Sequence, residues 1–357
     1  MAWPKLFAVL SFSLLWVAGG QELPAQTGGT RVYRFLDLPY SSRVAALGGG
    51  IASMPAGDLN FALSNPALLS DAVNNQLFLN YINYFSDINF GSMGYAFRTP
   101  LPVRTAAAMQ YIHYGTFTAT DETGTVTGTF SAAEYIFHLS ASYDLFDSLM
   151  TVGVSMKPLL SVLERYQSFG LVFDVGAAYH SRDDLFTAAL VLRNAGFQVS
   201  PYVPGHREKV PFEIRAGMSA KLRHAPFRFV ATFRDLQRPD LLYTVTEDPE
   251  NPTAPYPEKK EYSGFGKVAE NFMRHTVLGV EVLMGRSLIV SAGYNYRRRK
   301  ELMVPPRSGM AGFSIGATLQ LKRFTLSYGR ATYHLAGASN HISFSTNVKE
   351  LLGKRSL

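Results

Sequence analysis

The sequence predicts an all-β protein, a transmembrane antiparallel β-barrel of about 14 strands with an N-terminal plug segment. Three observations predict it. From residue 75 to residue 344 apolar residues alternate with small or polar ones, and no apolar run after residue 20 is long enough for a membrane-spanning helix. Every second connection between the predicted strands is short. Because successive side chains of a strand point to opposite faces, each strand has one apolar face and one small or polar face.

The first twenty residues have the pattern of a signal peptide. Lys5 precedes an apolar stretch at residues 6–17, and residues 18–20 are small, as cleavage requires. That stretch is shorter than the roughly 20 residues of a membrane-spanning helix. The chain of 357 residues has a formal net charge of +7 and no cysteine, which excludes disulfides and thiol chemistry. We therefore expect an exported protein, integral to the outer membrane.

The strands of a soluble β-sandwich would also alternate between apolar and polar residues. Two features favour the barrel over the sandwich. The apolar face often ends in an aromatic residue, as in the girdles of membrane barrels. The opposite face carries charge, which suits a hydrated or plugged lumen better than a dry core. The aromatic residues are Tyr143, Tyr179, Phe233, Tyr296 and Tyr328, and the charged ones are Asp174, Arg215, Lys221, Arg228 and Glu281.

The spacing of the strands predicts the topology. Strands are expected to begin near residues 75, 89, 103, 132, 149, 168, 186, 212, 227, 274, 288, 311, 324 and 339. The longer connections are expected at residues 115–131, 196–211, 235–270 and 298–310. Since bacterial barrels have short periplasmic turns and longer outside loops, this parity puts the long loops outside and both termini in the periplasm.

Four segments follow from this pattern: a signal peptide at residues 1–20, a plug at 21–74, the barrel at 75–346 and a periplasmic tail at 347–357. The tail could form a short helix or a frayed end. An irregular N-terminal lead-in remains the alternative to the plug.

The plug motif has glycines that permit close packing, and its Asn65-Pro66 pair marks a turn. Its residues are Arg43, Leu47, Gly48, Gly49, Asn65, Pro66 and Ala67. Four strand glycines are candidates for a kink or bulge: Gly153, Gly170, Gly176 and Gly217.

Two groups of loop residues are candidate contact sites. The loop at residues 235–270 is long and rich in proline and acidic residues. Two roles are open for such a loop: it docks a partner, or it is a solvated loop that only covers the barrel. A basic cluster on another outside loop could face lipopolysaccharide, because guanidinium groups bind phosphate at two points. Its members are Arg297, Arg298, Arg299, Lys300 and Arg307. The alternative is a generic basic rim. No nucleic-acid recognition module is present.

Catalysis is not expected. The eight histidines are scattered, and none has a metal-ligand spacing or lies in a known catalytic motif. His138 and Asp174 both fall on predicted lumen faces of different strands, so a hydrolase assembled from separate strands is conceivable, but lining the lumen is the simpler role. We therefore predict no enzymatic activity, no metal site and no cofactor.

The N-terminal half of the sequence also carries a resemblance. Residues 33–39 (YRFLDLP), 42–49 (SRVAALGG), 58–60 (DLN) and 65–68 (NPAL) are similar to the start of the PorQ family, outer-membrane components of the type IX secretion system. Residues 81–85 and 88–91 resemble the first hairpin of that family. The A-L-G-G and N-P-A motifs resemble the wider FadL-like group, which includes PorV and the fatty-acid transporters.

This resemblance implies a FadL-like barrel of fourteen strands with an N-terminal plug. It also implies a non-catalytic role in the attachment complex at the cell surface, with a PorZ-like surface protein, the PorU sortase and a PorV-like barrel as partners. In that complex the sortase joins cargo to anionic lipopolysaccharide. The alternative function is FadL-type transport of hydrophobic small molecules, which would require an apolar pocket near residues 45–67 and an opening in the wall.

Overall fold

The structure is a computed structural model that describes residues 31–84, 87–146, 149–242, 263–302, 309–334, 337–351 and 353. Fourteen antiparallel strands form a closed barrel in which each strand pairs with its neighbours in sequence and β1 pairs with β14. The strands are β1 (Gln76–Asn83), β2 (Asn89–Arg98), β3 (Arg104–Thr120), β4 (Val126–Leu145), β5 (Met150–Leu163), β6 (Tyr166–His180), β7 (Phe186–Ser200), β8 (Glu213–Lys221), β9 (Phe227–Phe233), β10 (Thr276–Met284), β11 (Leu288–Asn295), β12 (Phe313–Gln320), β13 (Phe324–His334) and β14 (Gly337–Asn347). The predicted fold class is confirmed.

The helices are short. They are α1 (Ser42–Ala46), α2 (Gly264–His275), α3 (Tyr296–Leu302) and α4 (Val348–Leu351). In the described part of the chain before the barrel, 3-10 helices lie at Arg34–Asp37, Leu59–Leu63, Pro66–Leu68 and Asp71–Val73. No helix in the described parts of the chain combines the length and apolar character needed to cross a membrane. Helix α4 follows β14 directly, so the start of the tail is helical.

Strand β5 illustrates why the chain forms this barrel. Val154, Met156 and Leu160 are exposed on the outer face, whereas Ser155 and Lys157 between them are buried. The period of two therefore sorts apolar side chains outward, where lipid surrounds a membrane barrel, and small or polar ones inward. Soluble proteins bury their apolar side chains, so the opposite arrangement seen here is typical of a β-barrel in a membrane.

The two ends of the barrel differ. At one end, here called the short-turn end, the connections are residues 99–103, 146–149, 181–185, 222–226, 285–287 and 321–323. At the other end, the long-loop end, the connections are residues 84–88, 121–125, 164–165, 201–212, 234–275, 296–312 and 335–336. The predicted alternation of connection lengths is therefore present, but only three connections of the long-loop end are long.

Four strand boundaries differ clearly from the prediction. Strands β3 and β7 end at Thr120 and Ser200, whereas the predicted connections begin at residues 115 and 196. Strand β4 begins at Val126, where the alternation predicted a start near residue 132, because the stretch 116–131 forms a continuation of the β3–β4 hairpin. The predicted strand end at Tyr296 is also wrong, since β11 ends at Asn295 and Tyr296 opens helix α3.

Candidate functional site

Residues 31–75, here called the N-terminal segment, lie against the inner face of the wall. Helix α1 packs on β11 to β14, and the 3-10 helix Pro66–Leu68 packs on β4 to β6. Most of the side chains between Tyr40 and Leu69 are buried. The segment is therefore seated between two regions of the wall, which is the position expected of a plug.

Inward-facing glycines allow this close approach. A Cβ at Gly293 of β11 would lie 2.6 Å from the carbonyl oxygen of Ala46. In the other contact region, a Cβ at Gly153 of β5 would lie 2.5 Å from the backbone nitrogen of Ala67. Real Cβ atoms do not approach other atoms so closely, so these positions require glycine.

The four glycines that we considered for kinks have this packing role. Besides Gly153, Gly176 faces Asn65, Gly217 faces Ala52, and Gly170 faces the Tyr33 ring. Of the four, only Gly170 lies at a register shift. The interpretation of the other three as kinks or bulges is wrong, because the feature that they accommodate is the N-terminal segment.

A buried ion pair joins the N-terminal segment to the wall. The guanidinium of Arg43 donates from Nε to Oε1 of Glu281 at 2.7 Å and from Nη2 to Oε2 at 2.8 Å. Arg228 donates to the same carboxylate at 2.6 Å, and Asp58 lies 3.6 Å from Arg43. The Glu281 side chain is fully buried, so these contacts replace the water that a carboxylate needs.

The remaining motif residues shape the backbone. Gly48 and Gly49 have φ angles of 99° and 86°, which favour glycine. Leu47 packs against Gly279 of β10. Asn65 caps the next 3-10 helix by accepting from the Ala67 N–H at 3.0 Å, and Pro66 occupies its first position. These residues thus set the path of the N-terminal segment inside the barrel.

Further buried charges line the wall. Lys157 lies 2.6 Å from Asp174 and donates to Asn194 at 2.5 Å. His138 is buried on β4, opposite this region of β5, between the paired positions Ile136–Leu159 and Leu139–Met156. Since Asp174 is held by Lys157 and by the Asn194 N–H, it is engaged as an ion-pair partner instead of orienting a histidine. Within the described residues, no cluster of acids and histidines is arranged to hold a metal ion.

At the long-loop end, β3 and β4 continue beyond their neighbours. Pairing of β2 with β3 ends at Asn89–His113, and pairing of β5 with β4 ends at Leu163–Ala132. Beyond these pairs, residues 116–120 and 126–130 pair only with each other among the described residues, whereas the Ser131 carbonyl also accepts from the Glu164 N–H at 3.2 Å. We call residues 116–131 the β3–β4 ribbon. A bulge at Gly115, with φ of 82°, marks its base. The predicted connection at residues 115–131 is therefore wrong, since only residues 121–125 connect β3 and β4.

The same end holds a basic pocket of about 240 Å³. We call it the arginine pocket. It is lined by the N-terminal segment, by the chain after β9 and by helix α3. Its charged lining residues are Arg31, Arg34, Arg234, Arg238, Arg274, Arg297 and Arg298, with the acids Asp37, Glu213, Asp235 and Glu301.

The predicted basic cluster divides between different environments. Arg297 and Arg298 line the arginine pocket. Arg299 and Lys300 instead lie over the rings of Phe313 and Tyr296. Arg307 lies outside the described residues. A common lipopolysaccharide-facing role for these residues stays a prediction.

Sequence reasoning missed most of the arginine pocket. Arg31 and Arg34 belong to the N-terminal segment, whereas Arg234 and Arg238 lie about 200 positions later in the chain. Burial, followed by repulsion from Arg34, lowers the pKa of Arg31. Only folding brings these guanidinium groups together, so no local pattern could have identified them.

The fold matches solved structures of toluene transporters. The toluene transporter TbuX of Ralstonia pickettii aligns with a TM-score of 0.52 and 11% identity, over 88% of this chain and 99% of that chain. The toluene transporter TodX of Pseudomonas putida aligns with a TM-score of 0.51 and 12% identity, over 87% of this chain and 98% of that chain. The sequence matches none of the protein-family models and none of the curated proteins.

The fold and its neighbours define the class of protein. It is a transmembrane β-barrel in which fourteen antiparallel strands close a wall with an apolar outer face, the fold of these two transporters. The two neighbours named above are both toluene transporters. At this level of identity the likeness concerns the fold alone.

Proposed function

We propose that this barrel is a non-catalytic docking platform of the type IX secretion attachment complex. It would hold a PorZ-like surface protein beside the PorU sortase and a PorV-like barrel. The proposal rests on the resemblance of residues 33–91 to the PorQ family and on one structural observation, the β3–β4 ribbon.

The ribbon supports docking because both of its edges have backbone groups without a neighbouring strand in the described structure. Such edges are templates for adding a strand from a partner. On one face of the ribbon Phe117 and Phe130 stack with ring centroids 5.2 Å apart, and Phe117 is exposed. Exposed aromatic pairs contribute strongly to protein interfaces. The ribbon therefore combines backbone and side-chain contacts that a surface protein could use.

The N-terminal segment supports a structural role for the barrel. It contacts wall regions on β5–β6 and on β10–β13, and the Arg43–Glu281 pair anchors it. Moving it would expose a buried carboxylate. A barrel with so firmly seated an insert is better suited to carrying a partner than to open diffusion.

A pulldown from intact outer membranes in mild detergent tests the proposal. The bait carries a tag inserted at Pro252, in the connection outside the described residues. Its variant replaces residues 117–130 by Asn-Gly, a two-residue turn that would close the hairpin after the Thr116–Ser131 pair. We expect the full-length bait to recover a large surface protein and a sortase-like protease, and the shortened ribbon to lose both.

Two controls separate the explanations. A variant lacking residues 243–262 tests whether the long loop at 235–270 makes the contact instead. Conversion of Glu122 to Gln, at the exposed ribbon tip, leaves both edges intact and should retain the partners. Recovery of the barrel alone in every case would refute docking.

A second candidate function is transport of hydrophobic small molecules through the barrel. The observation in its favour is an irregularity in the wall: pairing of β6 with β7 shifts between Phe173 and Val175, and Asn194 has a φ of 55°. A lateral opening could form at such a site. An alkyl ligand retained through purification and detected by native mass spectrometry would favour this candidate, especially if no protein partner were recovered.

A further inference from the structure

The arginine pocket has more positive charge than its own carboxylates can neutralise. Seven arginines and four acids line it, and Arg274 is paired with Glu270 outside the lining, which leaves an excess of two positive charges. The exposed side chain of Lys209 adds to it nearby, because the backbone of Lys209 pairs with that of Arg31. Like charges held at close range repel each other unless an anion lies between them.

Several of the arginines are committed to internal ion pairs. Arg297 contacts Asp235 at 2.8 Å and Glu301 at 2.7 Å, while Arg234 contacts Glu213 at 2.8 Å. These pairs use all but one of the pocket's acids. The last, Asp37, lies 3.5 Å from the exposed guanidinium of Arg34.

Arg31 and Arg238 are different. Both are half-buried, and neither forms an ion pair with a carboxylate of the described residues. They belong to the N-terminal segment and to the chain after β9, so they line the pocket from two separate segments. Asp235 and Asp37 act on Arg31 only at longer range, so within the described residues both guanidinium groups keep donors that no carboxylate occupies.

We propose that the arginine pocket binds a phosphate monoester group, carried by a saccharide or by a lipid headgroup. A monoester has nearly two negative charges and three acceptor oxygens, which match two guanidinium groups in two-point contacts. A single carboxylate offers half the charge and would leave half of the excess in place. The pocket volume of about 240 Å³ suits one such group with a small part of its carrier.

This inference is independent of the docking proposal. It concerns a pocket formed by the N-terminal segment, the chain after β9 and α3, whereas docking was assigned to the β3–β4 ribbon. Loss of partner recovery would leave it unaffected, and loss of phosphate binding would leave docking unaffected.

Binding to the purified full-length barrel tests it. Glucose 6-phosphate and inorganic phosphate are titrated by calorimetry in detergent, with acetate at equal ionic strength as the comparison. Retention of phosphatidic acid against phosphatidylcholine is measured by native mass spectrometry after reconstitution in nanodiscs. The test variant carries Arg31→Gln and Arg238→Gln, and the control carries Arg182→Gln and Arg286→Gln, which are exposed and lie at the short-turn end.

We expect the test variant to bind the phosphate compound about tenfold more weakly, because it loses hydrogen bonds to a charged group. The control variant should bind as the natural protein does, and raising the salt concentration should weaken binding. Binding of glucose 6-phosphate would identify a soluble saccharide source, and selective retention of phosphatidic acid a lipid source. Absence of binding in both arms, equal binding of acetate, or equal affinity in the test variant would overturn the proposal.

A separate observation concerns helix α2. Phe265, Val268 and Phe272 lie on one side of it and are 86%, 67% and 56% exposed. Residues three and four apart share a helix face, so these three form an apolar stripe. The polar side is engaged with the protein, through Glu270 with Arg274 and Tyr296.

The apolar stripe is continuous with the outer face of the barrel. The Phe272 ring lies 5.6 Å from that of Phe233, at the end of β9. Phe227 and Phe229 share that outer face and are exposed toward the membrane. We infer that α2 lies in the membrane interface, with its apolar stripe among lipid acyl chains.

Quenching by brominated phospholipids tests this placement. The sequence has two tryptophans, Trp3 and Trp16, and both lie in the predicted signal peptide, so the processed protein can report on one introduced probe. Phe265→Trp is compared in nanodiscs with Phe229→Trp on the outer wall and with Glu122→Trp at the ribbon tip. We expect the probe at 265 to be quenched nearly as strongly as that at 229, and the probe at 122 to be unaffected. Quenching at 265 no stronger than at 122 would show that protein, not lipid, covers the stripe.

Discussion

Arg43 and Glu281 form a buried two-point ion pair that links the N-terminal segment to strand β10 across 238 positions of sequence. Both side chains are almost inaccessible, at 10% and 0% exposed. The pair orients α1 relative to the wall, because a planar guanidinium meets a carboxylate in a defined geometry. Because Glu281 belongs to the wall, the position of the N-terminal segment also depends on the negative charge of that carboxylate.

Removal of Arg43 is expected to destabilise the barrel strongly. Arg43→Met leaves Glu281 buried with Arg228 as its remaining strong partner, and breaking a buried pair costs about 3–5 kcal/mol. The free energy of unfolding is measured by urea titration in detergent micelles. The control is Arg223→Met, which removes the exposed pair with Asp183 and should have a much smaller effect. Similar losses in both variants would contradict an anchoring role.

The wall glycines are expected to tolerate no side chain. Gly153→Ala places a methyl group against the backbone of Ala67 and should cost about 1–3 kcal/mol through overpacking. Because the N-terminal segment must shift, single-channel recordings in planar bilayers should also detect increased conductance. The control is Gly128→Ala in the β3–β4 ribbon, where a Cβ meets open space. Unchanged stability and conductance in the Gly153 variant would show that the segment is free to move.

Lys157 and Asp174 are expected to behave as one unit. Both side chains are 1% exposed, so Lys157→Met leaves a buried carboxylate without its cation and should cost about 3–5 kcal/mol. The double variant Lys157→Met and Asp174→Leu removes both charges and should be more stable than Lys157→Met alone. A double-mutant cycle from urea titrations measures this coupling. Additive losses would mean that the two charges do not stabilise each other.

The tip of the β3–β4 ribbon is expected to depend on pH. Asp121 accepts hydrogen bonds from Thr123 and Thr125, which lower the pKa of its carboxyl group. Since the folded pKa lies below the unfolded one, the ionised form orders the turn at higher pH. This contribution is lost as the pH falls through the folded pKa.

Carbon-13 NMR of aspartate-labelled protein measures this titration, and Asp121→Asn identifies the resonance. The midpoint should lie below that of the same residue in the denatured chain. Equal midpoints would indicate that the turn is not ordered by this carboxylate.

The strand pattern was readable from the sequence for a local reason. Strand residues alternate between two faces, so Val154 and Met156 outside and Ser155 and Lys157 inside follow from their order alone. Thirteen of the fourteen strands begin within two residues of the predicted start. Strand β4 is the exception, because the bulge at Gly115 interrupts the hairpin without ending it.

The candidate sites were much less predictable. The residues next to Gly153 and Gly176 in the sequence give no sign that Ala67 and Asn65 pack against these glycines. From sequence alone, a kink is therefore the natural interpretation of both positions. The arginine pocket likewise joins Arg31 to Arg238, which no periodicity connects.

The sequence by itself determined the fold class, the number of strands and the faces that they present, because these depend on residues adjacent in the chain. The tertiary structure alone decided how the N-terminal segment is seated, which charges are paired, and where unneutralised arginines gather. Those features depend on contacts such as Arg43 with Glu281, which form only when closure of the barrel brings distant segments within a few ångströms.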